Sequence, residues 1–450
     1  MKFRKSFADK TQTFLFLFIL LSSGQAFAFG SKKPAEATAN ESTPPNNSEL
    51  RLNPESLKGL VLSATTSHSI LVGLNEVQKS KLNYSAARAR LYPSLNFSTV
   101  AASLANPSFL IPSVQALLPF LVPSNWFHTA SAKRQYQADK TAFRILQKDI
   151  LASSLSLYLS ILRDQKLLRQ FQQDLEDLRM LEDSIENRYE FGAANDTELS
   201  ITRSQRVLAQ VRVLETQQFL NQQYLEMKRA IGVEPKRPIV LDEYQMPSDP
   251  SEQWTSEKIT DESWEKNSSR EQLLALRKSA ESDGWSKVFA FFGGASITAH
   301  TLDLESYPRL STKNMSAQAD FTLSYSQVPA LRLANNQLES IDLMIDELKD
   351  ELSFGVEKFV ENLPSLQERK ALAEEAESLI ISNFQTQLQR YNLGAGASFQ
   401  DVLNARLSMQ QSALKNIEAG RDLDLARVTL HRWLQLGLFA SFPELDSKFK

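Results

Sequence analysis

Apolar positions along this chain fall into two kinds of pattern, and each kind occurs twice. Leu168, Phe171, Leu175 and Leu178 recur at steps of three and four, and so do Val207, Val211 and Leu214. Leu403, Leu407, Leu414 and Ile417 keep the same heptad phase. Gln, Arg, Glu and Asp fill the positions between, so these are coiled-coil helices, wet over much of their circumference. A helix over 131–188 would extend about 85 Å at 1.5 Å per residue. That length suits an extended bundle or tube rather than a compact domain. In the second half Pro364 falls inside the corresponding helix and predicts a kink or a split into two stacked segments.

The other pattern alternates. Residues 317–326 place Ala317, Ala319, Phe321, Leu323 and Tyr325 on one side and Gln318, Asp320, Thr322, Ser324 and Ser326 on the other. Residues 295–302 alternate with smaller side chains, and 95–104 and 109–122 offer two first-half counterparts, the latter disturbed by Pro112 and Pro119. Ten-residue alternation is the mark of a transmembrane β-strand with lipid on one side and water on the other. A soluble antiparallel sheet alternates in the same way. About four strands per chain cannot close a barrel, which needs roughly eight.

The duplication extends to the residues themselves. Arg188-Tyr189-Glu190-Phe191-Gly192-Ala193 returns as Arg390-Tyr391-Asn392-Leu393-Gly394-Ala395 at an offset of 202, and 89–95 matches 289–295 at an offset of 200. Each half reads as a short helix (56–90 and 269–289), two strands, a long helix, a tight turn and a second long helix. The expected organisation is a signal peptide at 1–28, a flexible leader at 29–50, a first repeat at 51–232, a proline-rich connection at 233–261, a second repeat at 262–437 and a tail at 438–450. At the turns, Gly192 and Gly394 suit the positive φ at a helix end. Asn195 and Ser398 can cap the following helices, each with an acid three residues on, Glu198 and Asp401.

Composition narrows the function. Lys2, Arg4, Lys5 and Lys10 precede the apolar run Phe14–Leu21, and Ala26-Phe27-Ala28 supplies a cleavage pattern, as in a secretory signal. Its removal takes the formal charge from −3 to about −6, and no nucleic-acid partner is indicated. The chain has no cysteine, which excludes disulfides, thiolate ligands and a lipid anchor on cysteine. After the signal no apolar run reaches spanning length, so a membrane crossing would require a closed β-barrel. His68, His128, His300 and His431 are scattered. With no phosphate loop or nucleophile elbow either, no catalytic residue, metal or cofactor is expected.

Taken together, the order of parts resembles the TolC-like outer-membrane efflux protein family over about 52–437. The motifs that carry the resemblance are Arg390-Tyr391-x-x-Gly394 followed by Asp401-Val402-Leu403-Asn404-Ala405, and Ala87-x-x-x-x-Tyr92-Pro93-Ser94-Leu95. Ile231-Gly232 and Leu436-Gly437, which close the two return helices, add to it. The resemblance implies a mainly α fold with a small β part: a long helical barrel, and four strands per chain in a twelve-stranded barrel made by a homotrimer. It also implies an outer-membrane channel reaching into the periplasm and carrying out no chemistry, with a periplasmic adaptor and an inner-membrane transporter as partners. Asp401, Asn404 and Glu198 would line the periplasmic entrance. Gly192, Ala193, Asn195, Gly394, Ala395 and Ser398 would form adaptor-docking tips, with Arg188, Tyr189, Arg390 and Tyr391 packed beside them. The second tip carries one residue more than the first between its glycine and its acid. A rival from another class is a soluble periplasmic coiled-coil scaffold, which would lack lipid-facing strands.

Overall fold

The computed structural model describes residues 49–62, 67–101, 110–192, 194–300, 315–321, 325–394, 396–440 and 442. The expected signal peptide and nearly all of the leader lie outside them, as do Leu323, Ala193 and Ala395. Two hairpins of long helices dominate. The first is α3 (Pro123–Glu190) and α4 (Asp196–Ile231); the second is α7 (Gln327–Asn392) and α8 (Phe399–Leu434). At 68 residues, α3 is about 100 Å long. It begins eight positions before the expected start, because Pro123 occupies the first turn, where no backbone N–H is needed.

Each hairpin is preceded by two shorter helices and two strands. In the first half these are α1 (Pro54–Leu62), α2 (His68–Ala89), β2 (Ser94–Ala101) and β3 (Leu110–Leu117). In the second they are α5 (Ser256–Glu265), α6 (Ser268–Val288), β5 (Phe292–His300) and β6 (Met315–Phe321). The first-half helix expected at 56–90 is therefore two, whereas the one expected at 269–289 is the single helix α6, and α5 begins inside the expected connection 233–261. Two further strands, β1 (Leu50–Leu52) and β4 (Ile239–Leu241), pair in parallel and tie the start of the first repeat to the proline-rich connection. Tyr158 holds this pairing from beneath: its buried hydroxyl donates to the carbonyls of Leu52 (3.1 Å) and Asp242 (2.5 Å).

Pro364 does not split its helix. α7 runs unbroken from Gln327 to Asn392 with the proline inside it. One backbone hydrogen bond is lost there, but Val356, Phe359 and Leu363 are buried with Leu423, Leu430 and Leu434 of α8, and that packing keeps the helix continuous. α3 also contains one stretch apolar enough to cross a membrane by composition, more than half of it buried. Leu151, Leu155, Tyr158, Ile161 and Leu162 there belong to the main core with Met227, Ile231 and Phe439, so its apolarity serves packing.

The four long helices lie side by side in the order α4, α3, α8, α7. At the opposite end from the hairpin turns, β2, β3, β5 and β6 form one antiparallel sheet in that order, with β3 and β5 joining the two halves.

Candidate functional site

Two regions carry the features that the sequence singles out: the hairpin tips and the sheet. At the first tip Gly192 has φ +70°, and the Asn195 side chain accepts from the Glu198 amide at 2.8 Å, starting α4. At the second, Gly394 has φ +66° and Ser398 forms a reciprocal box with Asp401. The Asp401 amide donates to Ser398 Oγ (3.2 Å), while the Ser398 amide (2.8 Å) and hydroxyl (2.7 Å) donate to Asp401 Oδ2. These bonds hold the exposed Asp401 carboxyl below the usual carboxylate range. The extra residue of this tip is absorbed by a second glycine in the left-handed region, Gly396 at φ +84°.

Asp401 and Asn404 stand one turn apart on an exposed face of α8, and Asn404 Oδ1 accepts from Gln400 (3.2 Å). Glu198 is half-buried on α4. The four aromatic and basic residues beside the tips separate into two unlike pairs. Tyr391 is 5% exposed among Leu181, Ile185, Phe399 and Val402, and the Arg188 guanidinium lies 4.2 Å over its ring. Burial raises the Tyr391 phenol above its ordinary pKa. Tyr189, by contrast, is 44% exposed, and Arg390 is exposed too. Higher up the seam between α3 and α8 lies a buried polar cluster. Arg406 bonds one oxygen of Asp174, and Gln410 Nε2 donates to the other at 3.1 Å. Both ionic side chains are almost wholly enclosed.

In the sheet, register sorts residues by chemistry. Leu95, Ala116, Ile297 and Ala317 form one row across the four strands, and Phe97, Val114, Ala299 and Met315 another. The rows in alternation with them are Ser94, Leu117, Ser296, Gln318 and Asn96, Gln115, Thr298, Ser316. Apolar rows and mostly polar rows thus alternate along the strands. β2 and β6, at the two edges, each have a single neighbour among the described residues.

Aromatic side chains gather where sheet and helices meet. Phe127, Trp285 and Phe289 stack with ring centroids 5.4–6.3 Å apart. Phe292 meets Phe321 edge-on at 5.0 Å. Around them Tyr92, Phe120, Trp126, Phe321 and Tyr325 are exposed.

No protein-family model matches this sequence, and no curated protein matches it. Solved structures do. VceC, an outer membrane protein of Vibrio cholerae, aligns over 86% of this chain and 96% of its own, with TM-score 0.70 and 15% identity. The CmeC outer membrane channel of Campylobacter jejuni aligns over 88% and 89%, with TM-score 0.72 and 11% identity. The MtrE outer membrane channel of Neisseria gonorrhoeae, in its open state, aligns over 86% and 89%, with TM-score 0.66 and 12% identity. This chain has the outer-membrane channel fold. Within that channel fold, sequence reasoning found the tip caps but missed the Asp174–Arg406–Gln410 cluster and the aromatic junction. A signal for the cluster existed: Asp174 sits inside the apolar stripe of Phe171, Leu175 and Leu178, where a solvated acid is out of place. The junction left no local signal, since its members come from four separated segments.

Proposed function

We propose that this chain is one protomer of a homotrimeric outer-membrane channel. It would pass efflux or type I secretion cargo from the periplasmic side to the exterior without chemistry of its own. The observation that carries the reading is the row chemistry of the sheet together with its two open edges. Alternating apolar and polar rows suit lipid outside and water inside. Open edges cannot face hydrocarbon, because their backbone groups would go unpaired. Three copies would supply twelve strands and remove every edge. The exposed aromatic residues at the foot of the sheet suit a membrane–water interface, and the long hairpins would then build a tube hanging into the periplasm.

The tips would form the entrance and dock on a periplasmic adaptor. That adaptor would join the duct to an inner-membrane transporter, which supplies the energy. Asp401, repeated three times about the axis with Asn404 one turn above it, would give the entrance a negative ring, and Glu198 would add to it from the first hairpin. Selectivity would follow pore diameter and lining charge. Cell fractionation tests the placement. The protein should remain with the outer membrane after osmotic shock and high-salt washing. Recovery in the soluble periplasmic fraction would sink the channel reading and favour the scaffold.

A further inference from the structure

Away from both the tips and the sheet, a half-open cleft of about 410 Å³ lies where α3, α5, α6, α7 and α8 come together. That volume falls inside the range of roughly 300–1,000 Å³ typical of small-molecule sites. Part of its lining is polar, with Lys148 from α3, Ser263 from α5, and Ser268 and Ser269 at the start of α6. The rest is apolar, with Ile145 from α3, Leu348 and Leu352 from α7, and Trp433 from α8. Gly355 of α7 lines it too, and a Cβ there would come within 3.3 Å of the Trp433 ring. Glycine weakens a helix interior, and at this position it leaves that edge of the indole uncovered.

Lys148 is only 8% exposed, yet it forms no ion pair among the described residues. Its ammonium donates to Ser268 Oγ at 2.7 Å and lies 5.8 Å from the centre of the Phe442 ring, which Lys58 of α1 shares. Neither contact carries a negative charge. The nearby carboxylates are engaged elsewhere: Glu271 of α6 with Arg144 at 3.4 Å, and Asp149 with Arg432 of α8. Glu351 of α7 lines the cleft but is exposed. Burial, with repulsion from Arg144, pushes the Lys148 pKa down to about 8, so the group still carries its charge at neutral pH. A charge withdrawn from water without a counter-ion is costly. An anion in the cleft would remove that cost.

Two further features favour an anion on the same wall. Ser263 is 1% exposed, and its hydroxyl has no partner among the described residues, although buried hydroxyls normally have one. The Asn267 side chain accepts from the amides of Ser269 (2.8 Å) and Arg270 (3.2 Å), which starts α6 with its positive end at the cleft.

We propose that this cleft binds a small organic carboxylate, whose anionic head pairs with Lys148 and takes the Ser263 hydroxyl, and whose flat apolar body lies against Trp433, Leu348 and Leu352. An inorganic anion would leave the apolar wall unfilled, and a neutral molecule would leave Lys148 without a counter-charge. All of these residues belong to one chain, so the site goes beyond the channel reading and does not depend on it.

Isothermal titration calorimetry of the purified full-length protein tests this with 2-naphthoate as the probe, beside 2-naphthamide and inorganic phosphate. Naphthoate should bind saturably, one per chain, and about tenfold or more tighter than either comparison compound. Lys148→Met should weaken naphthoate by about tenfold or more. Its melting temperature should be no lower than that of the parent, because an unpaired buried charge has gone. Affinity in the parent should hold up to about pH 7 and fall above about pH 8, where the free ammonium loses its proton while the ligand stays ionised. Lys148→Met should show no such fall. Leu348→Trp fills the apolar side, leaves Lys148 in place and should also remove binding, which keeps the test sound if the methionine variant does not fold. Absence of saturable naphthoate binding, or binding unchanged in Lys148→Met or in Leu348→Trp, would overturn the site. Phosphate or naphthamide binding as tightly as naphthoate would overturn the ligand class.

Discussion

Replacing Asp174 by alanine should loosen the tip-ward half of the helical hairpins along the seam between α3 and α8. The Asp174 and Arg406 side chains are 2% and 3% exposed, so neither charge can turn to water. Arg406 Nε and Nη1 already lack partners, and removing Asp174 leaves the buried guanidinium with no counter-charge. Breaking a buried pair from one side costs about 3–5 kcal/mol. The surface pairs of Arg203, which is 50% exposed, bound the other extreme at about 0–1 kcal/mol. Hydrogen exchange of α3 and α8 amides flanking the cluster reads the difference locally. At about 1.4 kcal/mol per tenfold, Asp174→Ala should speed exchange there more than a hundredfold, and Arg203→Ala less than tenfold. The double variant Asp174→Leu/Arg406→Met should recover most of the protection, because an apolar pair of similar volume avoids the desolvation cost. Equal exchange in Asp174→Ala and Arg203→Ala would refute the reasoning. So would a double variant worse than the single.

Other outcomes follow from the same geometry. Gly192→Ala and Gly394→Ala should each cost about 1–2 kcal/mol, measured by the melting of the purified protein. A Cβ there would meet nothing within 4 Å, so the cost is backbone strain alone, and a neutral effect would contradict the left-handed turn. Tyr158→Phe takes the hydroxyl donor from the Asp242 carbonyl, while the Leu52 carbonyl keeps the Asp242 amide at 3.0 Å, and should cost about 1–3 kcal/mol, seen as faster exchange in β1 and β4. His431 is buried, and burial holds its imidazole below the ordinary pKa of 6.5, against the pull of Asp249 and Glu252 and with help from Arg427. The unfolded chain therefore takes up this proton first, and stability should fall as pH drops from about 6.5. His431→Leu should flatten that fall between pH 7 and 5; an unchanged slope would assign it elsewhere. Asp401→Ala should weaken cation preference and cation block of the conducting protein, and conductance identical across salts would remove Asp401 from the pore.

Much of this architecture could be read along the chain because its determinants are local. Glycine followed by a capping residue announces a turn wherever it falls, and both tips have the positive φ and side-chain cap that their residues suggest. Heptad spacing likewise announced the long helices. What escaped is non-local or compensated. β1 and β4 are three-residue strands nearly two hundred positions apart, too short for alternation to show, and the second is set among prolines. Pro364 is tolerated because packing on both sides outweighs one missing hydrogen bond. Asp174 and Arg406 resemble solvated helix charges until the fold brings them together. Val207, Val211 and Leu214 keep coiled-coil spacing but are exposed in the single chain.

Single-channel recording of the purified oligomer in a planar bilayer tests the central claim most directly. The account predicts discrete, long-lived conductance steps from the intact chain, and none from a variant lacking the β5 and β6 strands that still folds its hairpins. A trimer that inserts into lipid and carries no current, or steps that persist without those strands, would contradict it.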